Sequence, residues 1–287
     1  MQADIASSTG FRMTISDQDI LFLGDCVREA AQAEIMPRFR NLGAADVSEK
    51  TSAIDLVTQA DVLAEHRITA ALRERFPAAL VVGEEAYDAD RSVVPALADA
   101  ELAFVIDPVD GTFNFAAGIP VFGTMLAVTV RGETVAGIIH DPVLGDTVTA
   151  IRGAGAFLTR RDGQSTKLKV AEPASLNQMV GGLSWGHMDE PDRSRICANM
   201  AKARMTFAFN CSAYEYWMVA SGKMHFIGHA KLMPWDHLAG VLAHQEAGGH
   251  TAKFDGTPYR PGETVGGIIS APDKESWQLI RREIVGI

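Results

Sequence analysis

The chain has 287 residues, 47% of them apolar and 22% charged, with a formal net charge of −10 at pH 7. That length supports one large core or two smaller ones, and the acidic balance argues against broad binding to nucleic acid or anionic membranes, which needs a basic surface. Cys26, Cys197 and Cys211 are odd in number and form no C-x-x-C, as in a reduced cytoplasmic chain; no apolar run approaches the roughly 18 residues of a membrane span, and the opening MQADIASSTGFRMTISDQD lacks the basic start and apolar core of a secretory signal.

Ser16 and Asp19 stand at capping-box spacing at the head of SDQDILFLGDCVREAAQAEIMPRFR, which runs with helical periodicity. ADVLAEHRITAALRERFP reads as a second helix, stopped by Pro77. Strands follow in ALVVG, LAFVID, FGTMLAVTV, TVAGIIH and DTVTAIR, with short turns such as Arg131-Gly132, which suits an antiparallel meander. Past TRRDGQS the texture changes. Strand-like MVGGLS precedes helical DEPDRSRICANMAKA, strand-like MTFAF precedes helical SAYEYWMVASG, and KMHFIG precedes helical DHLAGVLAHQEAGG. The alternation predicts layered α/β, with an N-terminal α+β domain over 1–175 and a C-terminal α/β domain over 176–287.

The densest chemistry lies in VIDPVDGTFNF, residues 105–115. Pro108 biases Asp107 toward extended backbone, and Asp110-Gly111 signals a turn. The strand is therefore expected to end at Asp107. Both carboxylates, with the Val109 carbonyl between them, can then aim at one spot. TFNFAAG follows as a short helix whose free N–H groups suit an anion. The bland alternative is that Asp107 ends a strand while Asp110 and Thr112 merely cap a helix.

Acids recur at equivalent points: Glu84 and Glu85 after ALVVG, Asp61 after DLVTQA, and Asp236 after PW. Singly, each reads as an N-cap or a solvated loop. Together, four strand or helix ends carry an acid, and such ends meet at one sheet edge where ligands sit. Clustered carboxylates need a counter-charge. Oxygen donors without Cys or His point to Mg²⁺ or Mn²⁺ rather than zinc. An EF-hand is excluded, because Val109 and Gly111 would fall where that loop needs oxygen side chains. Several Mg²⁺ ions beside a helix N-terminus describe phosphoryl chemistry.

GEE, DPVDGTFNF and WDHLAG, together with DLVTQAD and IRGAGAFL, resemble in pattern and order the signatures of the inositol monophosphatase family, a lithium-sensitive, Mg²⁺-dependent phosphatase superfamily. The resemblance implies a five-layer αβαβα sandwich of the sugar-phosphatase type, usually a homodimer, and phosphomonoester hydrolysis without a covalent intermediate. It implies Glu84, Asp107 and the Val109 carbonyl as ligands of one Mg²⁺, and Asp107, Asp110 and Asp236 as ligands of a second. Glu84 would help hold a third, weaker ion, with Mn²⁺ as an alternative metal. Phosphate would rest on the N–H groups of Gly111 and Thr112. Asp61, bonded to the Thr112 hydroxyl, would orient the attacking water, so that Asp61, Thr112 and Glu84 form the catalytic set.

The chain departs from the family at the substrate end. In place of a Gly-x-Ala-Ala run it has Asn210, Cys211, Ser212 and Ala213. His229 stands where inositol phosphatases carry a hydroxyl-binding Glu, and His225 stands where an Asp is usual. Asn210, Cys211, Ser212 and His229 are thus candidate substrate residues, and inositol specificity is open. Strand alternation in GKMHFIGHAK would put Lys223, His225, His229 and Lys231 on one face. That face is either a solvated basic edge or a cluster favouring a second anionic group on the substrate. Tyr214, Tyr216 and Trp217 read as helix core. The expected function is Mg²⁺-dependent hydrolysis of a small phosphorylated metabolite in the cytoplasm, with no nucleic-acid or membrane partner. A nucleoside bisphosphate, a sugar bisphosphate and histidinol phosphate are alternative substrates. A non-catalytic regulatory protein, linked to RNA polymerase or the ribosome, is the alternative of another class.

Overall fold

The computed structural model describes residues 15–52, 55–87 and 90–287; most of the opening stretch read as lacking a secretory signal, residues 1–14, lies outside them. The first helix, α1 (Asp17–Ala30), leads to a hairpin of β1 (Val47–Ser52) and β2 (Asp55–Thr58), then α2 (Gln59–Arg75), β3 (Leu80–Gly83), the one-turn helices α3 (Glu84–Tyr87) and α4 (Val93–Ala96), and β4 (Ala103–Asp110). After the short α5 (Thr112–Ala116) come β5 (Gly123–Val130), β6 (Glu133–His140), β7 (Thr147–Ile151), β8 (Gly155–Thr159) and β9 (Ser165–Lys167). These strands lie side by side in chain order from β3 to β9, antiparallel except for the parallel β3–β4 pair. The rest of the chain runs β10 (Val180–Ser184), α6 (Asp192–Met200), β11 (Met205–Thr206), α7 (Ser212–Ala220), β12 (Phe226–His229), α8 (Pro234–Glu246), β13 (His250–Lys253), β14 (Ile268–Ala271) and α9 (Lys274–Ile280). Its five strands form a mixed sheet in the order β11-β10-β12-β14-β13.

Strand alternation assigns each side chain to a layer. Phe104 and Ile106 of β4 pack with Leu23 and Val27 of α1 and Ile68 and Leu72 of α2. Val105 of β4, with Met125 and Ala127 of β5, faces the other way, onto Ala213 and Tyr216 of α7 and Leu238 and Leu242 of α8. A sheet covered on both faces must be apolar on both, which is why these strands read as unbroken apolar runs. The far side of the α7–α8 layer meets Ile227 and Ile268 of the second sheet. The outer face of that sheet, with Leu183, Phe226 and Ile269, is closed by Ile196 and Met200 of α6 and Trp277 and Ile280 of α9. The order is αβαβα, the expected sandwich. Among the described residues no helix is long and apolar enough to cross a membrane.

Two local expectations are corrected. The strand does not end at Asp107: β4 continues to Asp110 through a register shift between the pairs Asp107–Met125 and Asp110–Gly123. Pro108 has no N–H for the ladder, so the strand bulges there. The Pro108 carbonyl is satisfied instead by Thr124 Oγ1 at 2.9 Å. The sharp turn comes at Gly111, whose φ of +90° favours a residue without Cβ. MTFAF supplies only Met205–Thr206, because this edge segment pairs with β10 alone and gains ladder bonds on one side.

Candidate active site

The β4 bulge and the Gly111 turn leave Asp107, the Val109 carbonyl and Asp110 at the mouth of the first sheet. Asp236 comes from the first turn of α8, two positions after Pro234, and Met233 is the residue before that helix. Carboxylate oxygens of Asp107, Asp110 and Asp236 lie within 4.8 Å of one another. Asp107 is 1% exposed, and its Oδ1 is buried without a hydrogen-bond partner. Burial, reinforced by the charges of Glu84, Asp110 and Asp236, pushes Asp107 well above the carboxylate range. Burial, with the charges of Glu84 and Asp110, does so for Asp236. Asp110 rises to about 6 through burial, against hydrogen bonds from the start of α7. Three desolvated acids this close require either protons or a cation. An oxygen-only donor set with an orphaned buried carboxylate oxygen fits a hard divalent ion such as Mg²⁺ or Mn²⁺.

Glu84 heads α3 at the rim of the same cavity. Lys50, from β1, reaches Glu84 Oε1 at 3.0 Å and Glu85 Oε1 at 2.7 Å. Burial works against its charge, but the two carboxylates outweigh it and raise its pKa. Burial and the Glu84 charge push Glu85 up to about 8. Glu65 of α2 fixes this turn by accepting the N–H groups of Glu85 (2.8 Å) and Ala86 (2.9 Å). Any Cβ at position 83 would sit 2.2 Å from Glu65 Cδ, so the glycine of GEE makes room for that carboxylate.

Asp61 is 0% exposed and stands behind Thr112 rather than on the cavity wall. It is not an N-cap. Thr58 caps α2, and Asp61 at the third helical position accepts the Thr58 N–H at 2.9 Å, closing a capping box. Its other oxygen lies 3.1 Å from Thr112 Oγ1, which is also 2.9 Å from the Val109 carbonyl. Burial pushes Asp61 up to about 7.

Gly111, Thr112, Asn210, Cys211 and Ser212 all reach a cavity of about 730 Å³ that also holds the acids. The start of α7 grips Asp110: Ala213 N–H and the Cys211 thiol, at 3.1 Å, both donate to Asp110 Oδ2. Cys211 thus orients a carboxylate. Asn114 steadies the junction by donating to the carbonyls of Val121 and Phe209, each at 2.8 Å.

The basic face expected along GKMHFIGHAK does not form. β12 is the central strand of the second sheet, not a solvated edge. His225 turns to the backbone, accepting Val180 N–H at 3.1 Å, and Lys223 is exposed away from the cavity. His229 and Lys231 do reach the cavity. His229 is 6% exposed, and burial, with His237 and His187 nearby, keeps it well below the usual imidazole range and neutral. Beside it lies Glu215 of α7, 7% exposed, with Oε2 3.4 Å from His229 Nε2. Burial, then the Asp110 charge, pushes Glu215 up to about 8. Of the four basic groups expected to favour a second substrate anion, Lys231 alone reaches the cavity with a charge.

Lys50, Glu65 and Glu215 escape the sequence reading. Lys50 and Glu65 are 34 and 20 residues from the partners they meet, and nothing local marks them. Glu215 had one signal, a lone acid inside the apolar run SAYEYWMVA.

The inositol monophosphatase family model matches residues 20–285. A Thermotoga maritima protein named fructose-1,6-bisphosphatase/inositol-1-monophosphatase is 31% identical over 211 residues, covering 74% of this chain and 76% of its own. A Pseudomonas aeruginosa protein named Nus factor SuhB is 32% identical over 229 residues, 78% of this chain and 81% of its own. The solved structure of a Thermotoga maritima IMPase superposes with a TM-score of 0.75 at 26% identity, covering 93% of this chain and 95% of that one.

Proposed function

The chain belongs to the inositol monophosphatase family, and on that premise we propose that it is a Mg²⁺-dependent phosphomonoesterase acting on a small phosphorylated metabolite. The observation that carries this reading is the triad of Asp107, Asp110 and Asp236, with carboxylate oxygens within 4.8 Å and Asp107 Oδ1 buried and unpartnered. In this reading Glu84, Asp107 and the Val109 carbonyl hold one divalent ion, and Asp107, Asp110 and Asp236 hold another. Glu84 would also help hold a third, weaker ion, which would compete with Lys50 for its carboxylate. When bound, such ions supply Lewis acidity toward the phosphoryl group and make water a better nucleophile at neutral pH.

The chain's own groups do the rest. The N–H groups of Gly111 and Thr112, at the free start of α5, receive phosphate oxygens. The Thr112 hydroxyl accepts a hydrogen bond from the attacking water and donates its own proton toward Asp61 Oδ1, so the water lone pair is turned to phosphorus. Asp61, raised to about 7 by burial, suits a proton acceptor near neutral pH. Asn210, Ser212 and His229 border the space for the leaving group, with Cys211 acting through Asp110. The same reading makes the protein a cytoplasmic homodimer without a nucleic-acid partner, in keeping with a net charge of −10.

The test is release of inorganic phosphate from a panel of phosphomonoesters with and without Mg²⁺. Metal-dependent release supports the reading. No release from any ester at saturating Mg²⁺ or Mn²⁺ overturns it in favour of a non-catalytic role.

A further inference from the structure

The WDHLAG stretch contributes more than Asp236. Asp110 is held directly by α7, through the Ala213 N–H and the Cys211 thiol. Asp236 instead rides on the first turn of α8, where Met233 gives no side-chain cap and Pro234 has no N–H to offer. Its place therefore depends on what ties that turn to its surroundings. His237, the next residue, is 1% exposed, and its Nε2 lies 2.9 Å from the Lys231 carbonyl, in the link between β12 and α8. A carbonyl oxygen only accepts, so Nε2 carries the proton. Burial lowers His237 to about 4 and leaves the ring neutral near pH 7, with Nδ1 as an acceptor. The Tyr216 hydroxyl, 3.2 Å away, donates to it. Tyr216 is 0% exposed and belongs to α7, about one turn beyond Ala213. Its ring lies against Gly240: a Cβ there would stand 2.1 Å from Tyr216 Cγ, so the glycine of WDHLAG lets α8 close onto α7.

We propose that Tyr216 and His237 are positioning residues for the acid triad: through them α7, which already grips Asp110, also fixes the start of α8 and so sets the separation of Asp110 and Asp236. This rests on the reading of the triad as a divalent-ion site. The tie runs from the Tyr216 hydroxyl to His237 Nδ1, and from His237 Nε2–H to the Lys231 carbonyl. It joins α7, the end of β12 and the start of α8, all of which border the cavity. Acids held this close repel as they ionise, and a loosely held turn would let Asp236 move away from Asp110. A turn tied on both sides resists that movement, so an ion meets ligands already at their spacing, with less ordering left to do on binding. Neither side chain is among the proposed ion ligands, and each acts through another group.

Tyr216→Phe removes one oxygen and keeps the ring against Gly240. His237→Leu removes both bonds, and His237→Gln keeps an amide N–H for the Lys231 carbonyl. Thr251→Val is the control for lost stability alone, since it removes the 2.9 Å bond to His244 in the last turn of α8. Calorimetric titration with Mg²⁺, well below the melting temperature, is run beside Asp236→Asn to identify the ion that Asp236 holds. In Tyr216→Phe and His237→Leu that ion is expected to bind about tenfold more weakly, with kcat lowered and KM little changed. His237→Gln should recover much of the loss seen in His237→Leu, and adding Tyr216→Phe to His237→Leu should cost nothing further. Thr251→Val should lower the melting temperature and leave Mg²⁺ affinity as in wild type. Wild-type Mg²⁺ affinity in Tyr216→Phe and His237→Leu, whatever their melting temperatures, would reduce the pair to packing and overturn the proposal. Tyr216→Phe decides alone should His237→Leu fail to fold. Absence of Mg²⁺ binding by wild type would sink the metal reading and this proposal together, whereas wild-type binding with unshifted variants sinks this one alone.

Discussion

Asp61 and Thr112, 51 residues apart in sequence, meet through a 3.1 Å contact between Oδ1 and Oγ1 that joins the first turn of α2 to the start of α5. The Thr112 hydroxyl has one proton and two acceptors in reach, Asp61 and the Val109 carbonyl at 2.9 Å. A cation on that carbonyl would turn the proton to Asp61. Thr112→Ala and Asp61→Asn should therefore lower kcat by roughly 10²- to 10⁴-fold with little rise in KM. A change confined to KM would mean that the pair binds substrate rather than orienting water.

Asp107→Asn should reduce turnover by about 10³-fold or more, because one substitution weakens both proposed ion sites. Asp236→Asn should also be severe. Calorimetric titration with Mg²⁺ gives a second readout: each variant should lose at least one binding event. Near wild-type turnover of Asp107→Asn at saturating Mg²⁺ would falsify the two-ion arrangement.

Lys50→Met should destabilise the metal-free protein by roughly 2 kcal/mol, between the worth of an exposed and a buried ion pair. Glu84 and Glu85 would lose the ammonium that lies 3.0 and 2.7 Å from them. Mg²⁺ should recover a larger share of stability in this variant than in wild type, since Lys50 no longer competes with the ion for the Glu84 charge. Thermal melts at several Mg²⁺ concentrations measure both effects. Equal Mg²⁺ stabilisation of the two proteins would show that Lys50 and the ion do not share Glu84.

The metal-free protein should lose stability as pH rises through neutrality. Burial pushes Asp110 up to about 6, Asp61 to about 7, and Glu85 and Glu215 to about 8, from ordinary values of 3.8 or 4.5. The folded state therefore holds protons that the unfolded chain releases first. The stability these groups contribute is full below about pH 4 and is lost as pH rises through about 6 to 8. Mg²⁺ should flatten this slope by replacing protons at the acid triad. A melting temperature that is level or rising over that window without metal would contradict the buried-acid picture.

Most of the acid cluster and the layered α/β texture could be read from the chain because both are written locally. Asp107, Val109, Asp110, Gly111 and Thr112 fall within six residues, so one strand end, one turn and one helix start bring them together whatever the rest does. The two-faced apolar runs of β4 and β5 announce a sheet covered on both sides. Even here backbone detail differed: Pro108 makes a bulge rather than a strand end, and Thr58 rather than Asp61 caps α2.

By itself, then, the sequence determined the acids, their order along the chain and a layered α/β texture, since periodicity and turn chemistry act over a few residues; the five-layer order was implied only by the family resemblance. Tertiary structure alone decided that Lys50 meets Glu84, that Asp61 stands behind Thr112, and that Glu215 lies beside His229. It also decided the electrical sign of the cavity end lined by His229 and Glu215. A histidine on a strand can be a cation or a neutral ring, and the choice depends on how much water the fold leaves around it. Burial at 6% exposure removes the charge from His229, and a carboxyl contributed by another helix makes that end acidic.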